Sequence, residues 1–138
     1  MTELLDKTWT VGDAIGPLPV GPTDRTTLAL FAGGSGDHNP IHLDADIARV
    51  VGMDDVFAQG MLSMAYLGRL LTDTFGQPAL LSFTTRFTAI TPVNATPVCS
   101  GVITDITDGV VTLDLTVALA DGTTTLAGGA RINLEDTK

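Results

Sequence analysis

Both histidines of the chain, His38 and His42, sit in the stretch SGDHNPIHLD (Ser35–Asp44), together with Asp37, Asn39 and Asp44. Asp37 and His42 are five positions apart, with Asn39 and Pro40 between them. Pro40 fixes its own φ and drives Asn39 towards extended backbone, so the stretch is a stiff turn rather than a helix. A stiff turn can aim a carboxylate and an imidazole at one water molecule. Asp37 would take a proton from it while His42 holds or passes one. Such a pair suits the addition or removal of water at a double bond, and also hydrolysis. The competing reading is structural, since Asp and Asn in turns commonly satisfy backbone amides. His38 precedes the stiff segment and is expected to face solvent. His38, His42, Asp37, Asp44 and Asp46 could in principle ligate a metal. Their spacing fits no established metal pattern and no second cluster completes a site, so neither metal nor cofactor is expected.

A second element with chemical potential is FAQGML, where Gly60 opens an apolar run. A helix amino terminus offers unpaired amides and a partial positive charge. Glycine leaves that end open, so the Gly60 amide could donate to a substrate carbonyl and stabilise an enolate or oxyanion. Close backbone packing would explain the glycine equally well.

The elements around these two features follow from pattern. Residues up to Pro22 are rich in Gly and Pro and read as loop with one short strand. TDRTTLALFAGGSGD opens with Thr23 or Asp24 as a helix cap, and Gly33, Gly34 and Gly36 are expected to stop that helix. Asp44 caps a short second helix. The run from Gly60 to Phe75 predicts the long helix of the chain, apolar on most faces and therefore buried on several sides. The remainder reads as β. Leu81, Phe83, Thr85, Phe87 and Ala89 share one face of LLSFTTRFTAI. Val111, Leu113, Leu115, Val117 and Leu119 share one face of VVTLDLTVAL. Helices followed by about four antiparallel strands predict an α+β fold, with the sheet wrapping the long helix.

Composition narrows the function classes. The chain has 138 residues, seven Lys+Arg against sixteen Asp+Glu, and a net charge of −9. Its length fits a single domain over 1–138. The few cations are scattered, so nucleic acid and anionic membrane surfaces are repelled rather than bound. Cys99 is the only cysteine. It lies in the strand-like run PVCSGVI and reads as a buried thiol, with no disulfide framework possible. The amino terminus shows no signal-peptide pattern and no stretch is long enough to span a membrane, so a cytoplasmic protein is expected. Charged residues are sparse, 17%, and mean hydropathy is +0.32, which suits a chain that hides apolar surface in a homo-oligomer.

SGDHNPIHLD, then QGMLSMAYLGRLL about seventeen residues on, then FTTRFTAITPV, together resemble the MaoC-like dehydratases and R-specific enoyl-CoA hydratases over roughly Val11 to Asn133. The resemblance implies a hot-dog fold, with a long central helix wrapped by a curved antiparallel sheet, usually as a dimer. It implies reversible syn hydration of a trans-2-enoyl-CoA to an (R)-3-hydroxyacyl-CoA. Asp37 and His42 would handle water and proton, and the Gly60 amide would be the oxyanion donor. Asn39, Gln59 and Met61 would line the substrate site. Gln59 departs from the family, which usually has histidine there, and so cannot carry a charge. Gly68 stands where the family often has a small polar residue, which could enlarge the acyl pocket or merely loosen the helix. An acyl-CoA is the expected partner ahead of an acyl carrier protein, and a homodimer or larger homo-oligomer the expected assembly. The alternatives are an acyl-CoA thioesterase on the same fold and one subunit of a hetero-oligomeric dehydratase.

Overall fold

The computed structural model describes residues 7–137, so the opening of the amino-terminal stretch read above as free of a signal pattern lies outside the described residues. Five strands form one antiparallel sheet: β1 (Ala14–Pro19), β2 (Leu80–Phe87), β3 (Val98–Thr107), β4 (Val110–Ala118) and β5 (Thr124–Asn133), in the spatial order β1-β3-β4-β5-β2. Among the described residues three α-helices precede β2: α1 (Arg25–Ser35), α2 (Ala45–Val50) and α3 (Gly60–Phe75). Helix α3 packs against all five strands, which requires the sheet to curve round it. This is the hot-dog arrangement.

The sheet's inner face follows the alternation of its sequence. On β4, Val111, Leu113, Leu115 and Val117 are buried while Asp114 and Thr116 are exposed. They meet Leu67, Leu70, Leu71 and Phe75 of α3, together with Leu126, Ala130 and Ile132 of β5. Burying each of the large side chains contributes about 1.5–3 kcal/mol. A second, smaller core holds Leu28 of α1, Ala48 of α2, Val56, Ala58 and Leu62. It fixes the first turn of α3 against the two short helices, and Tyr66 touches both cores. Cys99 is fully buried, and desolvation pushes its thiol up to about 11.

Helix α1 starts where Asp24 accepts from the Thr27 amide at 2.8 Å, a contact that holds the Asp24 carboxyl below its usual range. Its end differs from the sequence expectation. The helix runs through Gly33 and Gly34 to Ser35 and stops only at Gly36, whose φ of 80° reverses the chain. Burial of Leu28 and Ala32 on one face outweighs the conformational cost of two glycines. The short strand expected near the amino terminus is β1, and it joins the four strands that follow the helices in one five-stranded sheet. Strand β2 is an edge, paired on one side with β5 alone, with a register shift between Leu80 and Ser82. Leu81, in the shift, and Phe87 are left half-exposed. Arg86 is exposed on this strand and makes no ion pair among the described residues. Among those residues no helix is long and apolar enough to cross a membrane.

Candidate active site

Three short side chains shape the turn after α1. Ser35 Oγ accepts from the Asp37 amide at 3.1 Å, Asp37 Oδ1 from the Asn39 amide at 3.3 Å, and Asn39 Oδ1 from the Ile41 amide at 3.2 Å. Pro40–His42 then forms one 3-10 turn. Successive Asx-type turns of this kind leave little freedom to the backbone between Asp37 and His42. Asn39 is thus occupied in holding the turn, and His38 is exposed.

The turn drives His42 inward until it is only 8% exposed. Its Nδ1 lies 2.7 Å from the Phe57 carbonyl oxygen, and the Phe57 ring stands edge-on to the imidazole at 5.1 Å. A carbonyl oxygen only accepts, so Nδ1 carries the proton and donates it. In the neutral form of the ring, Nε2 is then the lone pair. Nε2 faces Asp37 Oδ2 at 3.8 Å, and the Asp37 side chain is 40% exposed. Two acceptors at that separation can each take one hydrogen of a single water standing at hydrogen-bond distance from both.

The start of α3 lies beside this pair. Gln59 occupies the cap position yet makes no side-chain cap bond, leaving the first amides of the helix without the usual partner. Instead, buried Gln59 donates from Nε2 to the Leu28 carbonyl at 2.9 Å, tying α3 to α1, while its Oε1 has no partner among the described residues. Gln59 lines neither cavity described next. At Gly60 a Cβ would lie 3.0 Å from the Phe87 ring, so glycine lets β2 close over the helix end.

Two cavities flank the site. The larger, about 440 Å³, is walled by Phe31, Met61, Met64, Gly68 and Phe83, with Asp37 and Ser35 at its polar end. The smaller, about 170 Å³, holds His42, Gly60, Ser63 and Thr91 among apolar neighbours such as Phe57 and Phe87. The Asp37–His42 pair and the Gly60–Met61 step thus stand between them. Of the residues singled out from sequence, Asp37, His42, Gly60 and Met61 are brought together here. Ser63 and Thr91 escaped notice. A serine in the first turn of an otherwise apolar helix was the available signal for Ser63, and Thr91 offered none.

A hot-dog fold carrying an Asp–His pair beside an open helix amino terminus defines a class of small, helix-centred domains. The chain belongs to the MaoC like domain family, which matches residues 8–131. Among solved structures it is similar to an (R)-hydratase from A. caviae involved in PHA biosynthesis, with a TM-score of 0.84 at 23% identity, covering 93% of this chain and 98% of that one. It is similar to R-hydratase PhaJ1 from Pseudomonas aeruginosa, with a TM-score of 0.82 at 26% identity over 91% and 81% of the two chains. It is also similar to a chain of the ChsH1–ChsH2 complex from Mycobacterium tuberculosis, with a TM-score of 0.82 at 22% identity over 91% and 98%. No curated protein matches the chain.

Proposed function

We propose that the chain is a single-domain hydro-lyase that adds water reversibly, in the syn sense, to a trans-2-enoyl-CoA, giving an (R)-3-hydroxyacyl-CoA. The observation that carries this reading is the pair of acceptors, His42 Nε2 and Asp37 Oδ2, 3.8 Å apart beside the helix end at Gly60. A water held by both loses one proton to the pair as its oxygen bonds to C3. The C2–C3 π electrons move towards the thioester carbonyl, whose oxygen takes negative charge and is met by the Gly60 amide. The pair then returns the proton to C2 from the face on which the water stood. One water is consumed, nothing is oxidised, and no cofactor enters. The larger cavity, with two methionines and two phenyl rings, suits the acyl chain, and Met61 lies on its wall nearest the helix end.

The R configuration is suggested by the (R)-hydratases that this chain resembles, the CoA thioester by the likeness of its motifs to those of R-specific enoyl-CoA hydratases, and a net charge of −9 makes an acidic carrier protein the poorer partner. Hydrolysis of the thioester is the less supported reaction. Of the two carboxylates just before α3, Asp55 is engaged by Arg25, and neither it nor Asp54 lines either cavity. A panel of enoyl-CoAs of increasing length, followed by loss of enoyl absorbance and by thiol release, tests the reading. Hydration without thiol release is expected, whereas thiol release alone would establish a thioesterase.

A second copy of the chain completes the assembly in this reading. The free edge of β2 and the exposed side chains of Leu81, Phe87, Met61 and Ile90 offer backbone hydrogen bonds and apolar surface together. Native mass measurement of the protein expressed alone is expected to give two chains of 14.3 kDa. A monomer would point instead to a different partner subunit.

A further inference from the structure

We infer that the Ser63 hydroxyl is a second donor to the substrate's thioester carbonyl oxygen, beside the Gly60 amide, and that Thr91 holds it in position. This rests on the hydration reading above. Ser63 and Thr91 are 1% and 5% exposed, and both line the smaller cavity with His42 and Gly60. Their oxygens lie 3.4 Å apart, and among the described residues each is the other's only hydrogen-bond partner. Each hydroxyl has one proton and two lone pairs, so a pair of them spends at most one proton on itself. The other stays unspent in a pocket whose remaining walls include Phe57, Phe87 and Leu126. A desolvated donor of that kind is offset only when an acceptor arrives.

The direction of that proton follows from the helix. Side chains on α3 tilt towards its amino terminus, so Ser63 leans over the turn that opens at Gly60, three positions earlier. A helical serine often turns its hydroxyl back to the carbonyl four residues before it. Here that carbonyl, on Gln59, accepts from the Leu62 amide at 3.1 Å, and Ser63 bonds Thr91 instead. Thr91 is anchored, since its carbonyl accepts from the Ala58 amide at 2.9 Å and Pro92 bridges Phe57. With Thr91 donating to Ser63, the Ser63 proton is free to meet the oxygen on which charge develops. A donor placed there strengthens as the enolate forms, so it acts on kcat more than on KM.

Ser63→Ala is expected to lower kcat for enoyl-CoA hydration about 10²-fold with KM within about threefold. Thr91→Val should lower kcat less, and the double variant should fall no further than Ser63→Ala alone. A purely structural hydroxyl pair would lower Tm and leave kcat where it was. A second measurement does not depend on turnover. Infrared difference spectra of butyryl-CoA labelled with ¹³C at the carbonyl should show its stretch lowered on the wild-type protein and restored towards the free value on Ser63→Ala. A chain that hydrates no enoyl-CoA overturns the hydration reading, while the carbonyl stretch still reports on Ser63. A folded Ser63→Ala protein with kcat within about twofold of wild type overturns the inference. So does a carbonyl stretch that is the same on both proteins.

Discussion

Asp37→Asn is expected to lower hydration by about 10³-fold while the protein remains folded. The substitution keeps the shape of the side chain and, through Oδ1, the acceptor that caps the Asn39 amide. The turn that aims His42 is therefore retained. What is lost is the second acceptor facing Nε2. An amide nitrogen there donates to the His42 lone pair and displaces the water that the two groups would have shared. The partly exposed position carries no core packing, so Tm should stay within about 2 °C of wild type. Asp37 is the cleaner probe of the pair. His42 is buried and bonded to the Phe57 carbonyl, so its truncation would open a cavity and release the loop before α3 along with any chemistry. Stopped-flow or steady-state enoyl absorbance on the purified variant, beside its melting curve, separates the two effects. Full activity in a folded Asp37→Asn protein would rule out the water-sharing mechanism.

The parts of this site that depend on local chain chemistry are readable from sequence. Pro40 and the alternation of Asp and Asn announce the stiff turn. Asp24 and Asp44 announce their helices, and the apolar run after Gly60 announces α3 with its first residue. The buried face of β4 is legible because the period of two leaves no other choice. What sequence does not reveal is set by contacts between distant segments. Ser63 and Thr91 meet across 28 positions, and Gln59 turns away from the pocket because the Leu28 carbonyl on α1 is within reach. Helix α1 runs past two glycines because its burial is decided by α2 and α3. The alternation of β2 is plain, yet Phe87 is half-exposed because the strand ends the sheet, a property of topology that no local pattern carries.

Gly128→Ala is expected to destabilise the protein by about 3 kcal/mol, a fall in Tm of about 10 °C for a chain of this size. A Cβ at Gly128 would collide with the Thr84 carbonyl oxygen and stand 2.9 Å from the Thr85 Cα. Both obstacles are backbone of β2, so no side chain can swing aside and the strand itself must move off β5. The backbone angles of Gly128 do not require glycine, so the close approach of the two strands is the reason for its choice. Strand β2 carries Phe83 on the larger cavity and Phe87 over Gly60, and its outer edge is the surface proposed above for a second copy. Displacing it should therefore weaken both pocket walls and the dimer proposed above, so loss of activity and of any dimer mass accompanies the lower Tm. Gly34→Ala supplies the contrast. It lies inside α1, where a Cβ meets nothing within 4 Å, so the better helix former should stabilise by roughly 0.5–1 kcal/mol. Thermal melts of the two variants should move in opposite directions. An unchanged Tm for Gly128→Ala would mean that β2 does not sit against β5 as closely as this register requires.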